Sequence, residues 1–176
     1  MAAREALREF QARLADRLQT ARTAGVSASW LAVEAGDAGY LLPLGQAGEI
    51  FPWTPPQAVP YTLPWFLGVA NLRGGLYGVV QLSAFAGGQA ASPAGEAARG
   101  QSRLVALNEA LEVNCALLVD RLAGLRGVEA FVTSEAPAGG SPSWQGDTYI
   151  DSAGRRWQEI QLAALAQLPE FLSIGA

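Results

Sequence analysis

The chain has 176 residues, half of them hydrophobic, which is enough to bury a core in one domain or two small ones. A net charge of −4 argues against a surface built for polyanions, and so against nucleic acid as a partner. There is no histidine and a single cysteine, Cys115; this removes Ser-His and Cys-His catalysis, histidine metal sites and any internal disulfide.

In chain order, residues 3 to 22 read as an amphipathic helix. Leu7, Phe10, Leu14 and Leu18 recur at helical spacing, and charged residues fill the other face. Two readings stand for it, a helix docked on its own domain or one that faces a partner or a membrane surface, with the mixed charge of its polar face counting against the membrane. Acids among the arginines of this segment do not suit a secretory signal. No apolar run approaches the ~20 residues that cross a bilayer. The expectation is therefore a cytoplasmic protein with no direct membrane insertion.

From Ser29 the period becomes that of strands. Trp30–Val33 leads into a turn at Gly36–Gly39 and then Tyr40–Leu44, a hairpin signal. Gly48–Phe51 follows. Five prolines between Pro52 and Pro64 make a helix or a central strand improbable, so a stiff surface loop is expected there. Trp53 and Trp65 bracket this loop, and an exposed one would suit a partner contact. Trp30 and Trp157 sit in strand patterns and read as core.

Leu63 to Leu82 is an apolar stretch holding Arg73, the only basic residue between Arg22 and Arg99. Gly74 and Gly75 beside it suit a strand–turn–strand corner. Residues 86 to 101 are mostly Gly, Ala, Ser, Pro and Gln, the best internal boundary in the chain. Leu104–Leu107, Ala116–Val119 and Val128–Thr133 read as strands, Cys115 as a small core residue beside the second. Thr148–Ile150 and Arg156–Ile160 form another hairpin, and a short helix near Gln161–Gln167 stops before Pro169. Many short strands punctuated by turns indicate an all-β barrel or sandwich protein.

No catalytic constellation emerges. Lysine is absent, so there is no phosphate-binding loop, and the spacing around Gly68 does not match a dinucleotide fingerprint. Glu49, Asp120 and Asp147 are too scattered to read as an acid/base pair. Neither an enzyme nor a cofactor is expected. What remains is a binding module: Arg73 is isolated in apolar chain, and Glu49 is its natural counter-charge. Partly buried, the pair would cost a few kcal/mol to break by removing one member. It reads either as a structural pair fixing a barrel corner or as part of a protein-binding surface.

Taken together, Tyr40-Leu41-Leu42-Pro43-Leu44, Gly48-Glu49-Ile50, the proline loop and Gly68-Val69-Ala70-Asn71-Leu72-Arg73-Gly74 resemble the CheW-like domain of chemotaxis coupling proteins. Ala116-Leu117-Leu118-Val119-Asp120 resembles a later strand of that family. Gln81, where the family usually has Asp, and Ala47, where it has Val, are departures. With the added helix they make the chain similar to the PilI-type members, which serve type IV pili and twitching motility.

The resemblance implies two packed five-stranded β-barrels with an N-terminal helix and a short C-terminal one. Its divisions are 1–26 for the helix and 27–176 for the CheW-like domain. Barrel 1 lies mainly in 29–85 and barrel 2 mainly in 102–160, with strand exchange allowed at the ends. It also implies a non-enzymatic adaptor between a methyl-accepting chemoreceptor tip and the regulatory domain of a CheA-like histidine kinase. The partner-binding residues it points to are Glu49, Ile50, Gly68, Val69, Asn71, Leu72, Arg73 and Gly74. The alternatives are a general flagellar coupling protein and a tandem-barrel module with a deep, closed ligand pocket between its halves.

Overall fold

The computed structural model describes residues 4–15, 30–87 and 99–175. Residues 4–15 form helix α1, with Leu7, Phe10 and Leu14 all exposed. The rest of the expected helix, Leu18 included, lies outside the described residues.

Eleven strands follow: β1 (Trp30–Ala35), β2 (Ala38–Pro43), β3 (Ala47–Pro52), β4 (Phe66–Leu72), β5 (Gly75–Gln81), β6 (Arg103–Leu107), β7 (Cys115–Val119), β8 (Arg121–Arg126), β9 (Phe131–Glu135), β10 (Gln145–Asp151) and β11 (Arg156–Ile160). Among the described residues the single-turn helices α2 (Leu82–Phe85), α3 (Leu162–Leu165) and α4 (Pro169–Leu172) interrupt or end the run. Pro169 begins α4, because a residue without an N–H loses nothing at the first helical position.

The strands divide into two sheets. Sheet A has six, in the order β8-β1-β2-β11-β10-β9; sheet B has five, in the order β3-β6-β7-β5-β4. One sheet thus has a strand more than the expected five. The sheets also cut across the halves 29–85 and 102–160: β1 and β2 join β8–β11, while β6 and β7 join β3–β5. The stretch 86–101 connects members of a single sheet. Its described ends flank residues 88–98, which lie outside the described set.

Both sheets curl. In sheet A, Trp30 on β1 meets Phe131 on the far edge strand with ring centroids 5.8 Å apart. In sheet B, the chain beyond β3 crosses to the opposite edge, where Gln57 exchanges both backbone hydrogen bonds with Val69 of β4, at 2.7 and 2.9 Å. This closure explains Gly68. Its φ is +135°, and a Cβ there would sit 2.0 Å from the Gln57 carbonyl oxygen. Only glycine admits that approach.

Curling gives three cores. Trp30, Ala32, Leu41 and Trp157 fill the inside of sheet A, with Phe131 and Tyr149 against them. Phe51, Ala70, Leu72, Val79, Leu104, Ala106 and Ala116 fill the inside of sheet B. Between the sheets lies a third and larger core, which includes Leu31, Val33, Leu42, Val80, Val105, Leu117, Ile160 and Leu162. Alternate residues of β1, β6 and β7 therefore enter different cores, which is why these strands read as unbroken apolar runs rather than as apolar–polar alternation.

Three local expectations change. Strand β8 was not anticipated, since Arg-Leu-Ala-Gly-Leu-Arg is apolar only in its middle and its C-terminal half is exposed. The expected strand Val128–Thr133 is a 3-10 turn over Val128–Ala130 followed by β9. Trp53 and Trp65 are both half-buried, Trp53 on the sheet B core and Trp65 on the inter-sheet core, where it stacks on Phe171 at 6.0 Å. The exposed aromatic of the proline loop is Tyr61.

Candidate functional site

The corner that joins β4 to β5 is a two-residue hairpin turn. Leu72 pairs with Gly75, leaving Arg73 and Gly74 between them with φ of +50° and +81°. Two successive positive φ values match the type I′ turn, whose twist fits that of the flanking strands. Glycine takes the second position without strain; arginine takes the first at a cost. Asn71 offsets part of that cost by accepting the Gly74 N–H on its Oδ1 at 2.9 Å. The Asn-Leu-Arg-Gly segment is thus a turn-forming device that holds one guanidinium out from the sheet.

Glu49, on edge strand β3, meets that guanidinium with its carboxylate at 2.5 Å. The side chains are 77% and 44% exposed for Arg73 and Glu49, so water screens the pair. The expected partly buried bridge is instead a surface one, worth less than about 1 kcal/mol to the fold. Holding the barrel corner therefore falls to Asn71, Gly74 and the core behind them, and the ion pair presents charge to solvent.

The eight residues expected to bind a partner separate by position. Glu49, Ile50, Asn71, Arg73 and Gly74 are exposed, and Val69 is half-buried. Leu72 is 4% exposed and points into the core of sheet B. Gly68 is buried against the proline loop, as described above. These last two lie beneath the surface, on the strand β4 that carries Val69 and Asn71 and leads into the Arg73–Gly74 turn.

An open depression of about 280 Å³ lies beside Glu49, lined by Gly48, Tyr77 and the β6 end Ala106–Glu109. It opens to solvent, unlike the closed pocket between halves that a ligand-binding module requires, and the space between the sheets is occupied by the third core. Among the described residues no group of three His, Cys, Asp or Glu is placed to hold a metal. Burial pushes the Cys115 thiol up to about 12, so it stays protonated and unreactive inside the inter-sheet core. No helix among the described residues is long and apolar enough to cross a membrane.

Comparison with known proteins agrees with this geometry. The family profile described as CheW-like domain matches residues 29–170. Among solved structures, the fold is similar to that of the scaffolding protein TtCheW from Thermoanaerobacter tengcongensis, with a TM-score of 0.63 at 16% identity. That match covers 77% of this chain and 89% of the other. No curated protein matches significantly.

Proposed function

Since the chain belongs to the CheW-like domain family, we propose that it is a coupling adaptor in chemosensory signalling, one that joins a methyl-accepting receptor tip to the regulatory domain of a CheA-like histidine kinase. It performs no reaction of its own. Its task is geometric: two barrels sharing one core form a rigid spacer, and a rigid spacer converts a small shift at the receptor into a change of kinase equilibrium. This reading places the protein in the cytoplasm.

The observation that carries the reading is the Glu49–Arg73 pair. It contributes little to the fold, yet a strained hairpin turn and an asparagine brace hold it at a defined point on the surface. Charges arranged in this way govern which partner docks and in which register. The family match over residues 29–170 supplies the class of partner. Within that role we assign the type IV pilus pathway, on the strength of Gln81, Ala47 and helix α1, which set the sequence apart from the general pattern.

The test is capture of purified receptor tips, from pilus and flagellar sets, and of kinase regulatory domains. Arg73→Glu is expected to abolish capture while leaving the melting temperature nearly unchanged. Capture that survives Arg73→Glu would remove the corner from the interface. Preference for flagellar receptor tips would remove the pilus assignment alone.

A further inference from the structure

Three non-glycine residues among those described have positive φ: Arg73, Glu112 and Tyr61. The first two have local reasons, a type I′ turn and the end of a 3-10 helix. Tyr61 follows Pro60 in the turn Val59–Thr62, with φ of +60°. Proline second and positive φ third is the type II pattern, and its third position favours glycine or asparagine. Tyrosine there strains the backbone.

Nothing in the fold repays that strain. The Tyr61 side chain is 91% exposed and has no hydrogen bond, ion pair or ring contact among the described residues. Yet its loop is tightly held. Gln57 is bound to Val69 on one side, and on the other the Leu63 N–H donates to the Ile174 carbonyl at 2.8 Å while Thr62 bridges to Gly175. The Thr62 hydroxyl closes the turn on the Val59 carbonyl at 3.0 Å. The backbone that carries the ring is therefore already fixed, so docking orders only the tyrosine side chain.

We propose that Tyr61 is a docking anchor for a protein partner, its ring entering an uncharged, apolar socket that accepts one hydrogen bond from the phenol. The chemistry of the surroundings selects that partner. From Ile50 to Leu72 there is no charged residue, and Val59 in the same turn is exposed as well. A phospholipid surface would call for arginines beside the ring, and this loop has none. The inference rests on the coupling role proposed above, and it adds a second contact to the Glu49–Arg73 corner.

The experiment measures affinity for the receptor tip and for the kinase regulatory domain, together with melting temperature, in the full chain. Tyr61→Asn, which suits the backbone but lacks the ring, should weaken one partner at least about tenfold, as loss of an interface anchor does. Its melting temperature should stay level or rise by about 2 °C, because the strain is relieved. Tyr61→Phe, which keeps the ring but leaves the socket's acceptor unpaired, should lose a clearly smaller part of the affinity. Three results overturn the proposal: unchanged affinity of Tyr61→Asn for both partners, a clear fall in its melting temperature, or a loss in Tyr61→Phe as large as in Tyr61→Asn. A wild-type chain that captures neither partner overturns the coupling role and this anchor with it. Arg73→Glu failing to bind while Tyr61→Asn binds normally overturns the anchor alone.

Discussion

The two barrels use charge in opposite ways. Inside sheet A the two tryptophans carry polar handles, and both are tied down. The Trp30 Nε1–H donates to Glu159 at 2.6 Å, and the Trp157 Nε1–H donates to Asp151 at 3.1 Å. The Arg155 guanidinium lies 4.5 Å above the Trp157 ring and also pairs with Glu34, which holds Arg121 as well. Arg156 also pairs with Glu135, but that pair is 59% and 53% exposed and is a surface one. Sheet B is filled by smaller apolar groups, and among the described residues its strands carry a single ion pair, Glu49–Arg73, which faces solvent. In sheet A the largely covered Glu34 and the indole N–H groups tie the barrel together; the single ion pair of sheet B is displayed. That contrast supports placing the docking corner on sheet B.

The contrast can be broken most directly at Trp157. Trp157→Ala removes a buried ring, the partner of Asp151 and the platform under Arg155, and should cost about 3–5 kcal/mol, read as a fall in urea midpoint. If the loss is under about 1 kcal/mol, the polar ties of sheet A are ornamental and the comparison fails.

A smaller effect tests the charges themselves. Burial pushes the Glu34 carboxyl up, but hydrogen bonds and charge from Arg155 and Arg121 outweigh it and hold the group below its ordinary value. A carboxyl depressed in the folded state stabilises the protein above its unfolded pKa, and that stability is lost as pH falls through the folded value. Wild-type melting temperature should therefore drop on acidification from about pH 5 toward pH 3 more steeply than that of Glu34→Gln. Some acid sensitivity should remain in the variant, because the Trp157 indole and the Arg155 and Ala153 amides hold Asp151 below its ordinary value too. Parallel pH profiles would show that Glu34 contributes nothing to the barrel.

The smallest expected effect lies on sheet B. A double-mutant cycle of Glu49→Ala and Arg73→Ala should give a coupling energy below about 1 kcal/mol. A coupling of several kcal/mol would make the pair a brace like those of sheet A.

Much of this could be read in advance. Apolar runs with turn signals at Gly36, Gly74 and Gly154 marked hairpins, because two- and four-residue loops need backbone that few other residues supply. The pairing of Glu49 with Arg73 was legible from charge isolation, since they are consecutive charges at the two ends of an uncharged stretch from Ile50 to Leu72. Their exposure was not, because burial depends on what folds over a residue. Strand β8 was hidden for a related reason: it is held by pairing with β1, and ladder hydrogen bonds leave no mark on side-chain pattern. Tyr61 was hidden because a tyrosine after proline does not by itself announce a positive φ; the anchoring of the loop on Val69 and Ile174 imposes it.

Local chemistry by itself determined that the chain would be strands joined by tight turns, with Arg73 at a corner and Cys115 inside. Tertiary structure alone decided which strands became neighbours. The reason is that β1, β6 and β7 are apolar on both faces, so periodicity says only that they are buried twice. Closure of sheet B through Gln57 and Val69, and the capture of β1 and β2 by β8 and β11, settle against which core each face lies. The same long-range pairings leave the Glu49–Arg73 corner in water.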